Sequence, residues 1–130
     1  MKIKAGDLRM IAEGLFEILK IDLPVKPSYW LARIANKVES EMKAFETARM
    51  SLVKKHANKD EKGEPILIKD KDGKPTNAYD VPDMETFNKE FDELVEQEIE
   101  ININPIKLDT LGDINLKPVI LAKLEKIIEI

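Results

Sequence analysis

The sequence contains no cysteine. That excludes a disulfide scaffold, thiolate zinc sites, thiol catalysis and iron–sulfur ligation, and it fits a reducing compartment. A single histidine, His56, is too few for the histidine-based zinc centres. The three serines, Ser28, Ser40 and Ser51, include no Gly-x-Ser-x-Gly elbow. The five glycines, Gly6, Gly14, Gly63, Gly73 and Gly112, lie too far apart to build a phosphate-cradling loop or a dinucleotide fingerprint. Aromatic residues make up only 5%, so aliphatic side chains must supply most of the core. No apolar run approaches the roughly 20 residues of a membrane span. The N-terminal apolar residues are interrupted by Asp7, Arg9, Glu13 and Glu17, which leaves no secretory apolar core segment. Basic excess is also missing: 21 basic against 25 acidic residues give a net charge of −4, so nucleic acid is not an expected partner.

What is present is a chain of 130 residues, 43% hydrophobic and 35% charged, the size and composition of one globular domain over residues 1–130. Residues 7–20 read as a short amphipathic helix with Leu8, Ile11, Leu15, Ile18 and Leu19 on one face, capped by Asp7 and mildly weakened by Gly14. Pro24 and Pro27 then break the pattern. The spacing predicts a long helix over 28–57, with Ser28 as its cap. Leu31, Ala35, Val38, Met42, Phe45, Arg49, Leu52 and His56 alternate at steps of four and three, a heptad seam with two polar members. Such a rod requires a partner, and 83–97 supplies one: Met84, Phe87, Phe91 and Leu94 at helical spacing behind a capping Asp83. Between them, 58–82 is a polar tip with turns at Lys62-Gly63 and Asp72-Gly73, forming a β-hairpin or an ordered loop. At 98–104 isoleucines alternate with Glu and Asn, a period-two strand. Ile114 and Leu116 suit a short strand, and Pro118 opens a final helix over 117–128. The expected fold is therefore mainly α with a small β component. A long antiparallel, coiled-coil-like helical hairpin carries a β-hairpin or loop tip, with short N- and C-terminal helices packed at its base.

No residue set calls for catalysis, a cofactor or a metal. His56 reads as a polar residue at the end of the seam. The carboxylates Glu90, Asp92, Glu93, Glu96, Glu98 and Glu100 have the types that bind magnesium or move protons, yet they read as a solvated face balanced by lysines. Asp70-Lys-Asp-Gly opens like a calcium loop, but its twelfth position is Val81, so a turn is expected. The lysines of the tip alternate with acidic residues and cancel. Tyr29 and Trp30 read as anchors for the first helix rather than stacking platforms for bases.

Several motifs together resemble a family. They are Leu31-Ala-Arg-Ile-Ala-Asn-Lys-Val, Glu41-Met-Lys-Ala-Phe-Glu-Thr-Ala-Arg, Lys59-Asp-Glu-Lys-Gly-Glu-Pro and Phe87-Asn-Lys-Glu-Phe-Asp-Glu-Leu, with Glu98-Ile-Glu-Ile and the helix start at Leu116-Lys-Pro. In order and spacing over residues 8–128, the chain is similar to small proteins of unknown function encoded by tailed phages and prophages of Gram-positive bacteria. The resemblance implies a phage origin and carries no catalytic motif.

The expected function follows: a phage-encoded, non-enzymatic accessory protein working through protein–protein contacts, with virion or tail assembly as the setting. The alternative is a host-directed inhibitor, an anti-defence protein that binds a host protein through its acidic face. The expected location is the host cytoplasm, with incorporation in the virion under the assembly reading. Expected partners are further copies of the chain, as a homodimer or higher oligomer, and another phage or host protein; no membrane is expected. Interaction candidates are Trp30, Arg49, His56, Glu90, Glu93 and Glu96. Self-association is expected because Trp30, Ile34 and Val53 flank the seam and the 98–104 strand presents an edge. Phe45, Met42, Phe87 and Phe91 are expected to be buried, with Arg49 paired to Glu90 or Glu93.

Overall fold

The apolar periodicities become four α-helices and six short strands in the structure, a computed structural model that describes residues 1–129. The fold is mainly α with a small β component, as the pattern predicts. In chain order the elements are β1 (Lys2–Lys4), α1 (Leu8–Ile18), α2 (Val25–His56), β2 (Leu67–Lys69), β3 (Pro75–Tyr79), α3 (Met84–Val95), β4 (Glu98–Glu100), β5 (Ile106–Lys107), α4 (Pro118–Lys123) and β6 (Ile128–Glu129). The chain forms two compact units: Met1–Ala44 with the residues from Glu96 onward, and Phe45–Val95. Helix α2 runs through both.

The first unit holds the aliphatic core. Ile3, Leu8, Ile11, Leu15 and Ile18 from the N-terminal elements, Leu31, Ile34 and Val38 from α2, and Ile101, Leu111, Leu124 and Ile127 from the C-terminal third are all at most 1% exposed. Among the described residues no aromatic ring is buried. Each such side chain taken wholly out of water contributes about 1.5–3 kcal/mol before entropy is counted. Helix α1 packs on α4. Gly14 of α1 is part of that contact: a Cβ placed there would stand 2.7 Å from Leu124 Cδ2 and 2.9 Å from its Cγ. The residue that looked like a helical weakness is what lets the two helices approach.

Several sequence expectations shift by a turn. Asp7 does not cap α1 with its side chain; a 3-10 turn over Ala5–Asp7 leads directly into the helix, and the Asp7 carboxylate accepts from Lys126 Nζ at 2.6 Å. Ser28 is not the cap of α2. The helix begins at Val25, and the Ser28 amide already donates to the Pro24 carbonyl at 3.1 Å. Pro27 fits there because a first-turn residue has no intrahelical acceptor for the amide proline lacks. The last helix stops at Lys123 rather than 128, with Leu124 outside helical geometry, so that Ile128 can pair parallel with Ile106. Ile114–Leu116 is not a strand.

The 98–104 strand shrinks to Glu98–Glu100, and one of its two edges is taken. β1 pairs with it antiparallel, Lys2 opposite Glu100, Ile3 opposite Ile99 and Lys4 opposite Glu98. The sequence hid β1 because three residues of Lys-Ile-Lys are too short to show a period. Ile34 and Val53, expected to flank the seam in the open, are 0% and 2% exposed. Of the three residues expected to flank the seam in the open, Trp30 alone stays exposed.

The second unit is a helical hairpin with a β tip. The pairs Phe45–Phe91 and His56–Phe87, with ring centroids 6.3 and 5.9 Å apart, set α3 antiparallel to the C-terminal part of α2. Asp83 caps α3 as expected, its Oδ1 accepting from the Thr86 amide at 3.1 Å. The tip is a β-hairpin of β2 and β3. Its two turns use one device. Asp60 Oδ1 accepts from the Lys62 and Glu64 amides, and Asp70 Oδ1 accepts from the Asp72 and Lys74 amides, all at 2.9–3.0 Å. Gly63 and Gly73 take the left-handed position that follows, φ 80° and 78°.

Candidate functional site

The helical hairpin of the second unit carries a row of partly covered apolar side chains. Helix α3 has no buried residue although Phe87, Phe91, Leu94 and Val95 repeat at helical spacing. Phe87 and Phe91 stack on each other with centroids 6.1 Å apart, and Phe91 meets Phe45 edge-on. All three rings are half-buried, as is Met42. This corrects the expectation that they are buried: the pairing of α2 with α3 covers most of each side chain and leaves a part of it in contact with solvent. The wholly buried positions here are Val53 and Ala57, one residue past the heptad positions 52 and 56. A helix of 3.6 residues per turn drifts off a strict 3.5-residue repeat in this direction.

Charge gathers where the seam ends. His56 Nε2 lies 2.8 Å from Glu90 Oε2, and Lys55 Nζ lies 3.1 Å from Glu90 Oε1. The His56 side chain is 12% exposed and stands edge-on to Phe87, so it is held, not frayed. The hydrogen bond from His56, then that from Lys55, holds the Glu90 carboxyl below its ordinary range. Asp83 is held low as well, by hydrogen bonds from the side chain and backbone of Thr86.

The structure brings together His56 and Glu90 and separates the other sequence candidates. Arg49 does not reach Glu90 or Glu93. Its Nε and Nη2 donate to Glu46 at 3.0 and 2.6 Å, one turn back on the same helix. At 33% exposure the guanidinium keeps contact with water, so the cost that would have driven a cross-helix pair does not arise. Glu93 stands exposed on α3. Glu96 accepts from Lys4 at 2.8 Å in the first unit. Trp30 and Tyr29 do not anchor the first helix. They are 42% and 57% exposed and contact each other edge-on at 5.5 Å. The sequence reading missed Lys55; its position beside His56 at the end of the seam was the available signal.

This cluster is an ion-pair network of Lys55, His56 and Glu90. Ser51 Oγ, the serine nearest in sequence, donates to the Thr47 carbonyl of its own helix at 3.1 Å. Among the described residues no three His, Asp or Glu side chains are placed to hold a metal ion. No helix among them is long and apolar enough to cross a membrane. In comparisons with known proteins, no family model, no curated protein and no solved structure matches the chain.

A pH dependence follows from Glu90. Its folded pKa lies below its unfolded value, so its bonds stabilise fully above the ordinary carboxylate pKa of 4.5 and are lost as pH falls through the lowered value. Thermal melts from pH 7 down to 3 should show stability falling below about pH 4.5, with a shallower fall in Glu90→Gln. An unchanged slope in that variant would assign the acid loss to Glu46 and Asp83, which are also held low.

Proposed function

We propose that this protein is a non-enzymatic interaction module that self-associates through the open side of its helical hairpin. One observation carries the reading: α3 bears Phe87, Phe91 and Leu94 on one face and buries none of them completely. Half-covered aromatic side chains in a contiguous row are the usual material of a protein–protein contact. A two-fold dimer is the simplest assembly, since it lets one face cover its own copy. The resemblance to phage and prophage proteins supports a role as an accessory protein in virion or tail assembly inside the host cell. The anti-defence reading has less behind it. An acidic face offered to a host protein needs free carboxylates, and Glu90, Glu96 and Glu100 each engage a cation of their own chain.

Light scattering over a range of micromolar concentrations tests this. The mass should rise from 14.8 kDa toward twice that value. Phe87→Ser with Phe91→Ser should return it to the single-chain mass while circular dichroism keeps the helical signal. A wild-type mass that stays at 14.8 kDa throughout would rule out self-association.

A further inference from the structure

Two depressions on the surface of the first unit meet at Ile103 and differ in character. The first, about 320 Å³, is lined by Pro27, Trp30, Ile103 and Pro105, with Lys26 and Lys107 beside them. The second, about 450 Å³, is polar and includes Arg33, Asn36, Lys37 and Asn102. Lys26, Trp30, Arg33 and Lys37 follow one another along α2 at steps of four, three and four, which places them in one stripe. The lining of the two depressions includes four cations and no carboxylate, in a chain whose net charge is −4. Lys37 has Glu41 at 3.9 Å. Among the described residues no ion pair engages Lys26, Arg33 or Lys107. The Arg33 guanidinium lies 4.8 Å from the Trp30 ring centroid and 5.8 Å from that of Tyr29.

We propose that this stripe binds an acidic peptide segment with one bulky apolar side chain. The apolar side chain enters the depression beside Trp30, and carboxylates a few residues away meet Arg33 and Lys37. The volume beside Trp30 suits one large side chain, and its proline and isoleucine lining suits an apolar one. Arg33 is pre-positioned by its ring contacts, so little side-chain freedom is lost when it takes a carboxylate in two-point fashion. A single nucleic-acid strand is the weaker match. Strand binders set successive bases on successive aromatic rings, whereas one ring lines this groove. A long polyanion would also meet the net negative charge of the chain. This surface lies in the first unit and is independent of the hairpin seam.

Trp30 is the only tryptophan, so fluorescence of the full chain reports the groove directly. The probe is a blocked hexapeptide of one phenylalanine followed by glutamates, titrated at fixed protein concentration. A saturable change in Trp30 emission is expected, weakened at least tenfold by Arg33→Glu with Lys37→Glu and weakened by added salt. Both replaced side chains are exposed, so the fold should survive, as circular dichroism will verify. If it does not, the salt dependence of the wild type and a control peptide with lysines for glutamates carry the test. The proposal fails if emission does not saturate, if the lysine peptide binds equally well, or if the charge-reversed variant keeps its affinity. It fails also if a twelve-nucleotide oligothymidylate binds more tightly at the same salt.

Discussion

Ile34→Ala is expected to destabilise the protein by about 2–5 kcal/mol, and Phe45→Ala by about 1–2 kcal/mol, although phenylalanine is the larger residue. The order follows burial. Ile34 is 0% exposed in the aliphatic core of the first unit, so truncation leaves a cavity lined by close-packed side chains. Phe45 is half-buried and contacts Phe91 edge-on, so truncation removes part of a contact and opens no enclosed void. Urea denaturation followed by circular dichroism measures both midpoints; with unchanged slopes, the shifts convert directly to stability. A larger loss for Phe45→Ala would move the principal core to the hairpin seam.

Gly14→Val is expected to lower stability by about 3 kcal/mol, against the trend of helix propensity, where glycine is the weaker former by up to about 1 kcal/mol relative to alanine. The reason is space. An added Cβ would stand 2.7 Å from Leu124 Cδ2 and 3.0 Å from Lys123 Cβ. Leu124 is 0% exposed, so it has no free volume to swing into. Pairing Gly14→Val with Leu124→Ala should recover part of the loss, which double-mutant thermal melts would read as a favourable coupling. A stabilised Gly14→Val would mean that α1 and α4 stand farther apart.

The helices were legible because their apolar spacing is local. Leu8, Ile11, Leu15 and Ile18 announce the buried face of α1, and Asp83 announces the start of α3. The two turns were legible because Asp followed by Gly three positions later satisfies its own backbone. What the sequence hid is what depends on distant partners. The strand pairing of Lys2–Lys4 with Glu98–Glu100 joins segments with no common pattern. Gly14 carries no sign of Leu124. Along α2 the heptad repeat was real as a spacing, yet the covering elements differ along its length. Leu31 and Val38 are therefore buried, whereas Phe45 and Leu52, on equally good positions, stay partly open. Of the candidate site, the pairing of the two helices came from helical spacing, whereas the contact of His56 with Glu90 was not expected, since Glu90 was assigned to Arg49. Arg49 was misplaced because its partner on the same helix, Glu46, was passed over for one across the seam.

The pairing of β1 with β4 has a consequence for how the chain is born. Ile3 lies opposite Ile99, so β1 has no strand neighbour until the chain has left the ribosome through β4. The hairpin of the second unit needs only contiguous residues and is complete by Val95. Synthesis thus delivers the inserted unit before the unit that frames it can close. Through that interval the apolar face of α1, with Leu8, Ile11, Leu15 and Ile18, has no α4 to pack against. Closing so long a loop is the slow kind of step in folding, and it leaves α1 exposed to chance encounters with other chains in the meantime.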